Sequence, residues 1–108
     1  MISDSITDRL FALSRENKDK EVCGLITIGG DIHTIENVAM EKGTCFLFHK
    51  LKYLQLVSTL MKANKDIFCI FHTHPSNIST PSQADREYAA RSQYPSLIVT
   101  DYELRWVN

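Results

Sequence analysis

Residues 67–85 read IFCIFHTHPSNISTPSQAD, and we expect the other elements of the chain to fold around this segment. The first five residues are apolar and are β-branched or aromatic at most positions, a composition that predicts a buried strand ending near His72. Because side chains alternate between the two faces of a strand, His72 and His74 should point to the same side. The spacing therefore predicts a pair of imidazoles able to chelate one metal ion.

The residues after this strand supply a third candidate ligand. Pro75 cannot donate a hydrogen bond to a sheet, so it should end the strand, and the polar residues that follow it predict a loop. From Ser82 onward the composition favours a helix, which places Asp85 in the first turn, aimed back at the histidines. Two imidazoles and one carboxylate leave a tetrahedral zinc ion one position for water, as in a catalytic site. The predicted ligands of one zinc ion per chain are His72, His74 and Asp85.

Composition and charge predict a single globular domain over residues 1–108. Hydrophobic residues make up 44% of the chain and charged residues 23%, and the net charge is −1. A chain with this charge has no overall positive field to attract nucleic acid or an anionic membrane. No apolar run approaches the ~20 residues needed to span a bilayer, and residues 1–8 do not resemble a signal peptide. We therefore expect a cytoplasmic protein with no membrane partner, and nucleic acid is disfavoured as a partner.

The three cysteines support the same compartment. Cys23, Cys45 and Cys69 have no C-x-x-C spacing and lie in or beside apolar segments. This pattern predicts reduced, buried thiols in a cytosolic protein.

Hydrophobic periodicity predicts an alternation of helices and strands. The predicted elements are a helix over 2–15, strands over 22–28 and 32–39 joined by a turn at 29–31, a short strand over 45–48, a helix over 49–64, the buried strand over 67–71, a helix over 82–91, and strands over 97–100 and 103–107. The predicted buried stripe of the second helix consists of Leu51, Leu54, Val57 and Met61, widened by Leu56 and Leu60. This order predicts a mixed α/β fold, with helices packed on a sheet.

Hydrolysis at such a centre needs a proton-transfer group that is not itself a metal ligand. Glu21 is the candidate, at the start of the first predicted strand and on the same face as Cys23 and Leu25. The hydroxyl of Ser82 is the candidate donor to the oxyanion that forms when water adds to a carbonyl. Simpler interpretations exist: Glu21 as the solvated end of a strand, the histidines as a solvent-facing pair, and Ser82 with Asp85 as a capping box.

Three motifs, E-V-C-G at 21–24, H-T-H-P at 72–75 and S-Q-A-D at 82–85, together resemble the JAMM (JAB/MPN+) family of metallopeptidases over almost the whole chain. The resemblance implies the cytidine-deaminase-like JAB/MPN fold and the three zinc ligands named above. It also implies that Glu21 holds and deprotonates the attacking water and that Ser82 steadies the tetrahedral intermediate. Every motif position is filled, as in active members of the family, although Thr73 stands where a serine is frequent.

The resemblance also implies a class of reaction, the hydrolysis of a peptide or isopeptide bond in a protein or peptide substrate. The chain has no room for the two insertions with which eukaryotic deubiquitinases grip ubiquitin chains, so we expect a minimal prokaryotic or phage-tail-assembly-type enzyme. The expected substrates are the tail of a ubiquitin-like or sulfur-carrier protein, or a phage-tail or cell-wall peptide.

Two other functions are compatible with the sequence. One is an interaction module in phage tail assembly that uses the same fold without catalysis. The other is a DNA-associated role, because the segment HTHPSNISTPS also resembles a motif of the RadC family. The net charge and the E-V-C-G opening disfavour this second alternative.

Overall fold

The computed structural model describes residues 2–107, so Met1 and Asn108, the ends of the predicted domain, lie outside the described residues. The elements in chain order are α1 (Asp4–Glu16), β1 (Cys23–Thr27), β2 (Ile32–Ile35), α2 (Lys50–Lys62), β3 (Ile67–Thr73), α3 (Gln83–Arg91), β4 (Ser96–Val99) and β5 (Leu104–Val107). The predicted mixed α/β architecture is confirmed.

The five strands form one mixed sheet in the order β2-β1-β3-β4-β5. The central strand, β3, pairs antiparallel with β1 and parallel with β4, and the two outer pairs are antiparallel. The carboxyl end of β3, where the histidines lie, is therefore flanked by the beginning of β1 and the end of β4. This edge of the sheet is where the predicted site residues can meet.

Helices cover both faces of the sheet and create two apolar cores. One core lies under α1 and contains Leu10, Ile26, Cys69, Phe71, Leu97 and Val99. The other lies under α2 and α3 and contains Leu25, Ile35, Leu60 and Ile70, with Tyr53, Tyr88 and further partly buried residues packed against them. Because Phe71 belongs to the first core, the alternation of side chains directs His72 toward α2 and α3.

The glycine of the E-V-C-G motif is required by the close approach of β2. A Cβ atom on Gly24 would lie 2.0 Å from the carbonyl oxygen of His33 and 2.9 Å from the ring of Phe71. Any side chain at this position would separate β1 from its neighbours.

Two strand predictions are wrong, one in its length and one in its existence. The strand predicted over 32–39 ends at Ile35, and the strand predicted over 45–48 does not form. A single bridge joins Asn37 to Phe48 instead. The physical reason is that the side chain of Asn37, rather than a continued ladder, binds the backbone of the facing segment: it accepts from Leu47 N–H at 3.0 Å and donates to Cys45 O at 3.0 Å.

The predicted buried stripe of α2 is confirmed for Leu56, Val57 and Leu60, which pack on the sheet, but it is wrong for the other three residues. Leu51, Leu54 and Met61 are 59%, 52% and 71% exposed. The face that packs on the sheet consists of Tyr53, Leu56, Val57 and Leu60. These residues are spaced i, i+3, i+4 and i+7, so they form a continuous helical stripe as well, and tertiary packing selected it over its neighbour.

Cys23 and Cys69 are buried as predicted, but the prediction of a buried thiol is wrong for Cys45, which is exposed. Its apolar neighbours do not form a strand, so no sheet covers its side chain. Among residues 2–107, no helix is long and apolar enough to cross a membrane.

Candidate metal centre

Strand register brings Glu21 close to the two histidines, which lie far from it in the sequence. Cys23 is paired with His72 in the β1–β3 ladder. Continuing that antiparallel register by two residues on each strand places Glu21 opposite His74. The backbone of His74 is held on its other side, where its N–H donates to Val99 O at 2.9 Å.

Asp85 reaches both histidines from the first turn of α3. Its Oδ1 lies 3.1 Å from Nε2 of His72, and its Oδ2 lies 3.0 Å from Nε2 of His74. The same residue closes a capping box, since Ser82 N–H donates to Asp85 Oδ2 at 2.9 Å and Asp85 N–H donates to Ser82 Oγ at 3.0 Å. The capping box and the proximity to the histidines therefore occur together rather than as alternatives.

A hydrogen bond to Ile78 determines the tautomer of His74, and so whether the nitrogen that faces Asp85 carries a proton. Nδ1 lies 2.7 Å from the carbonyl oxygen of Ile78, which can only accept, so Nδ1 carries a proton. If the imidazole is neutral, Nε2 then carries no proton, and its lone pair faces Oδ2 of Asp85. Two acceptors at 3.0 Å require a positive charge between them, either a second ring proton or a cation.

Electrostatics in the cluster follow from burial and from this pairing. Burial tends to lower the pKa of His74, but its hydrogen bonds to Asp85 and Ile78 outweigh it, so that pKa is raised. Burial also opposes ionisation of Asp85, but its close contacts with the imidazoles of His72 and His74 hold the pKa of its carboxyl well below the ordinary value. For His72 burial is the largest effect, and its pKa is lowered, which favours the neutral imidazole.

Glu21 is a buried carboxyl beside this cluster. It is 3% exposed. Burial raises its pKa to about 7, with His74 opposing the shift and Asp85 adding to it. Its Oε1 has no hydrogen-bond partner within residues 2–107. A buried charged group that lacks a partner in a native fold calls for a functional explanation.

The donor atoms present fit a divalent metal ion. Potential ligand atoms of Glu21, His72 and His74 lie within 4.8 Å of one another. Nε2 of His72 has no hydrogen-bond partner within the described part of the chain, because its contact with Asp85 at 3.1 Å lacks hydrogen-bonding geometry. Donors bound at about 2.0 Å to one tetrahedral zinc ion lie roughly 3.3 Å apart, close to the spacings of Asp85 from both rings.

A surface cavity of about 250 Å³ opens onto the cluster. Its lining includes Glu21, His74, Ile78 and Ser82. The Ser82 oxygen accepts the capping hydrogen bond, which leaves its own hydroxyl proton free to donate to a group in this cavity. A molecule that enters this cavity therefore reaches both Glu21 and Ser82 from the same side.

Residues 3–108 match the model of a family described as prokaryotic homologs of the JAB domain. The chain belongs to this family. Its fold is similar to the solution structure of a protein from Desulfitobacterium hafniense, with a TM-score of 0.76 and 19% identity over 97% of this chain and 79% of that one. It is also similar to the solution structure of a protein from Salinibacter ruber, with a TM-score of 0.57 and 21% identity over 97% of this chain and 77% of that one. A comparison with curated protein sequences found no significant match.

The predicted family and fold of this JAB domain are thus confirmed. The structure brings Glu21, His72, His74, Ser82 and Asp85 to one place, while the assignment of zinc and of the individual roles stays a prediction.

Other conspicuous residues lie apart from the cluster or have structural partners. Nδ1 of His49 caps α2 by accepting from Lys52 N–H at 3.2 Å. The thiol of Cys23 donates to Ile35 O at 3.4 Å. Its pKa is raised to about 12, mainly by burial and to a smaller extent by the nearby carboxyl of Glu21.

Two residues near the site of this JAB domain were not predicted from the sequence. Asn37 is buried and makes four hydrogen bonds at 3.0 Å, to Glu21 O, Ala39 N, Cys45 O and Leu47 N. Phe46 stacks on His72. An asparagine inside a stretch of strand-like composition was the signal for the first, because asparagine favours turns over strands. The aromatic pair at 46 and 48 was the only signal for the second.

Proposed function

We propose that this JAB domain is a metallopeptidase that uses one zinc ion to hydrolyse a peptide or isopeptide bond. The observation that carries the proposal is the convergence of two imidazole nitrogens and the Asp85 carboxylate beside a buried carboxyl, Glu21, whose Oε1 has no hydrogen-bond partner within residues 2–107. His72, His74 and Asp85 would hold the ion. Two imidazoles and a carboxylate are a donor set well suited to zinc.

The positions of the residues support one proposed role for each. A bound zinc ion supplies polarisation of the scissile carbonyl and a lowered pKa of the attacking water. Glu21 accepts the proton of that water and passes it to the departing nitrogen, a role open to a buried carboxyl whose Oε1 has no hydrogen-bond partner within residues 2–107. Ser82 donates its hydroxyl hydrogen to the developing oxyanion. The carbonyl of Ile78 holds His74 in the tautomer whose Nε2 would bind the ion.

The substrate we propose is a protein or peptide. The cavity of about 250 Å³ beside the cluster lies at the surface, where a peptide segment can reach it. A tail of a ubiquitin-like or sulfur-carrier protein fits this description, as does a phage-tail or cell-wall peptide. The net charge of −1 argues against a nucleic-acid partner, because the chain has no overall positive field to attract one. The buried free thiols of Cys23 and Cys69 support a site of action in the cytoplasm of a bacterium, an archaeon or a phage-infected host.

Metal analysis of four purified proteins tests the centre. We expect about one equivalent of zinc in the wild type and in Glu21→Gln, and loss of zinc in His74→Ala, because an imidazole ligand is then missing. His49→Ala is the matched control, since it removes a histidine that caps α2. Equal metal content in all four proteins would remove His74 from the coordination sphere.

Turnover of peptide and isopeptide libraries tests the reaction itself. Glu21→Gln should keep its zinc and lose about 10²–10⁴-fold in rate, because glutamine cannot transfer the proton. The same variant should retain bound substrates, which mass spectrometry then identifies. If wild type and Glu21→Gln form the same protein complexes and neither cleaves any library member, the domain acts as an assembly module and the hydrolase proposal is wrong.

A further inference from the structure

His72 is a buried ring that no hydrogen bond orients. It is 2% exposed, and neither of its ring nitrogens has a hydrogen-bond partner among residues 2–107. His74, in contrast, is held through Nδ1 by the carbonyl of Ile78. Histidines that bind metal ions almost always donate their second ring N–H to a partner, which fixes the orientation of the ring. His72 needs another restraint if its Nε2 is to point at Asp85.

The restraint is the ring of Phe46. The centroids of the two rings are 4.5 Å apart and their planes are inclined by 24°, so the rings are stacked. Phe46 also contacts Tyr88 on α3, edge to face, with centroids 5.0 Å apart. Tyr88 follows Asp85 by three residues on the same helix. The phenylalanine ring therefore contacts both the histidine of β3 and an aromatic ring on the helix that carries the facing carboxylate, and it limits rotation of the imidazole.

The backbone on both sides of Phe46 is fixed by one buried side chain. Asn37 donates to Cys45 O and accepts from Leu47 N–H, each at 3.0 Å. The same amide donates to the carbonyl oxygen of Glu21 at 3.0 Å. The stacked ring is thus tied to the beginning of β1, next to the proton-transfer candidate. Because the backbone on both sides of Phe46 is held in place, its ring can restrain the imidazole that it contacts.

We infer that Phe46 is a positioning residue for the metal centre: its ring holds the His72 imidazole in the orientation that binds the ion, in place of a hydrogen bond donated by Nδ1. This inference rests on the metal centre of the proposed function and on no step of the hydrolysis.

Zinc affinity, measured by competition with a chelator, tests the inference. Phe46→Leu keeps an apolar side chain but removes the stacked ring, and we expect its affinity to fall about tenfold or more. Phe46→Tyr keeps the ring and should stay within about threefold of the wild type. Phe48→Leu is the matched control, because Phe48 lies two residues away in the same aromatic cluster and stacks on Tyr53. Equal affinities of Phe46→Leu and wild type, or an equal loss in Phe48→Leu, would overturn the inference.

Proton NMR of the metal-free proteins supplies a second readout. The stacked phenyl ring should shift the ring protons of His72 upfield, and Phe46→Leu should move them downfield while Phe48→Leu leaves them in place. Unchanged His72 resonances in Phe46→Leu would show that the rings do not stack in solution. Neither measurement needs turnover, so a wild type that binds zinc and cleaves nothing ends the hydrolase proposal and leaves this inference intact. A wild type with no affinity for zinc ends both.

Discussion

Replacing Glu21 with glutamine should make the metal-free protein more stable than the wild type at pH 8 and change its stability little at pH 5. Glu21 is 3% exposed and its Oε1 has no partner within the described residues. The ionised carboxylate is therefore poorly solvated in the fold. Glutamine keeps the shape of the side chain and cannot ionise, so it removes this unfavourable charge.

The magnitude follows from the pKa. Burial raises the pKa of Glu21 from the ordinary 4.5 to about 7, so the folded protein binds this proton more tightly than the unfolded chain does. Stability from this group is fully present below pH 4.5 and is lost as the pH rises through about 7. The shift corresponds to about 3 kcal/mol at about 1.36 kcal/mol per pKa unit. Solvent in the adjoining cavity screens part of this, which leaves about 2 kcal/mol.

Urea denaturation in the presence of a strong chelator, at pH 5 and at pH 8, measures the effect. Relative to the wild type, Glu21→Gln should gain about 2 kcal/mol in free energy of unfolding when the pH is raised from 5 to 8. At about 4 °C per kcal/mol this corresponds to a difference of roughly 8 °C in Tm at pH 8. Glu41→Gln is the control, since it makes the same substitution at an exposed position.

One result would refute the reasoning about burial. If the stability difference between Glu21→Gln and wild type is the same at pH 5 and pH 8, the Glu21 carboxylate is as well solvated in the fold as in the unfolded chain. The side chain would then be no candidate for a proton-transfer group with a raised pKa.

Further substitutions test other parts of the structure. Ser82→Ala should lower the free energy of unfolding by about 1 kcal/mol in urea through loss of the helix cap, and turnover by about 10²-fold through loss of the oxyanion donor; Ser82→Thr should restore much of both. Gly24→Ala should cost more than about 4 kcal/mol in the same assay, because its Cβ would lie 2.0 Å from a backbone oxygen of β2, whereas Gly43→Ala, with 3.6 Å to its nearest contact, should fold normally. Asn77→Ala should cost about 1–3 kcal/mol, because it removes the hydrogen bonds to Asp101 and leaves alanine at φ 61°; Asn77→Gly separates the two effects.

The sequence alone was sufficient for those features that depend on residues close together in the chain. Alternation along β3 put His72 and His74 on one face, and the spacing of Ser82 and Asp85 predicted both the helix start and its cap. The three helices, the central strand and the family followed from such short patterns. Each of these patterns depends on a period or a cap that spans only a few residues, so no distant contact is needed to predict it.

Tertiary structure decided what depends on distant contacts. The antiparallel register of β1 and β3, set by pairs such as Cys23 and His72, placed Glu21 opposite His74. Packing on the sheet chose the Leu60 side of α2 over the neighbouring stripe, although both have helical spacing. The side chain of Asn37 replaced a ladder that the composition favoured, and in doing so it fixed the segment that carries the ring stacked on His72. In each case, residues far apart in the chain compete for the same partners, and only the assembled fold determines which contacts form.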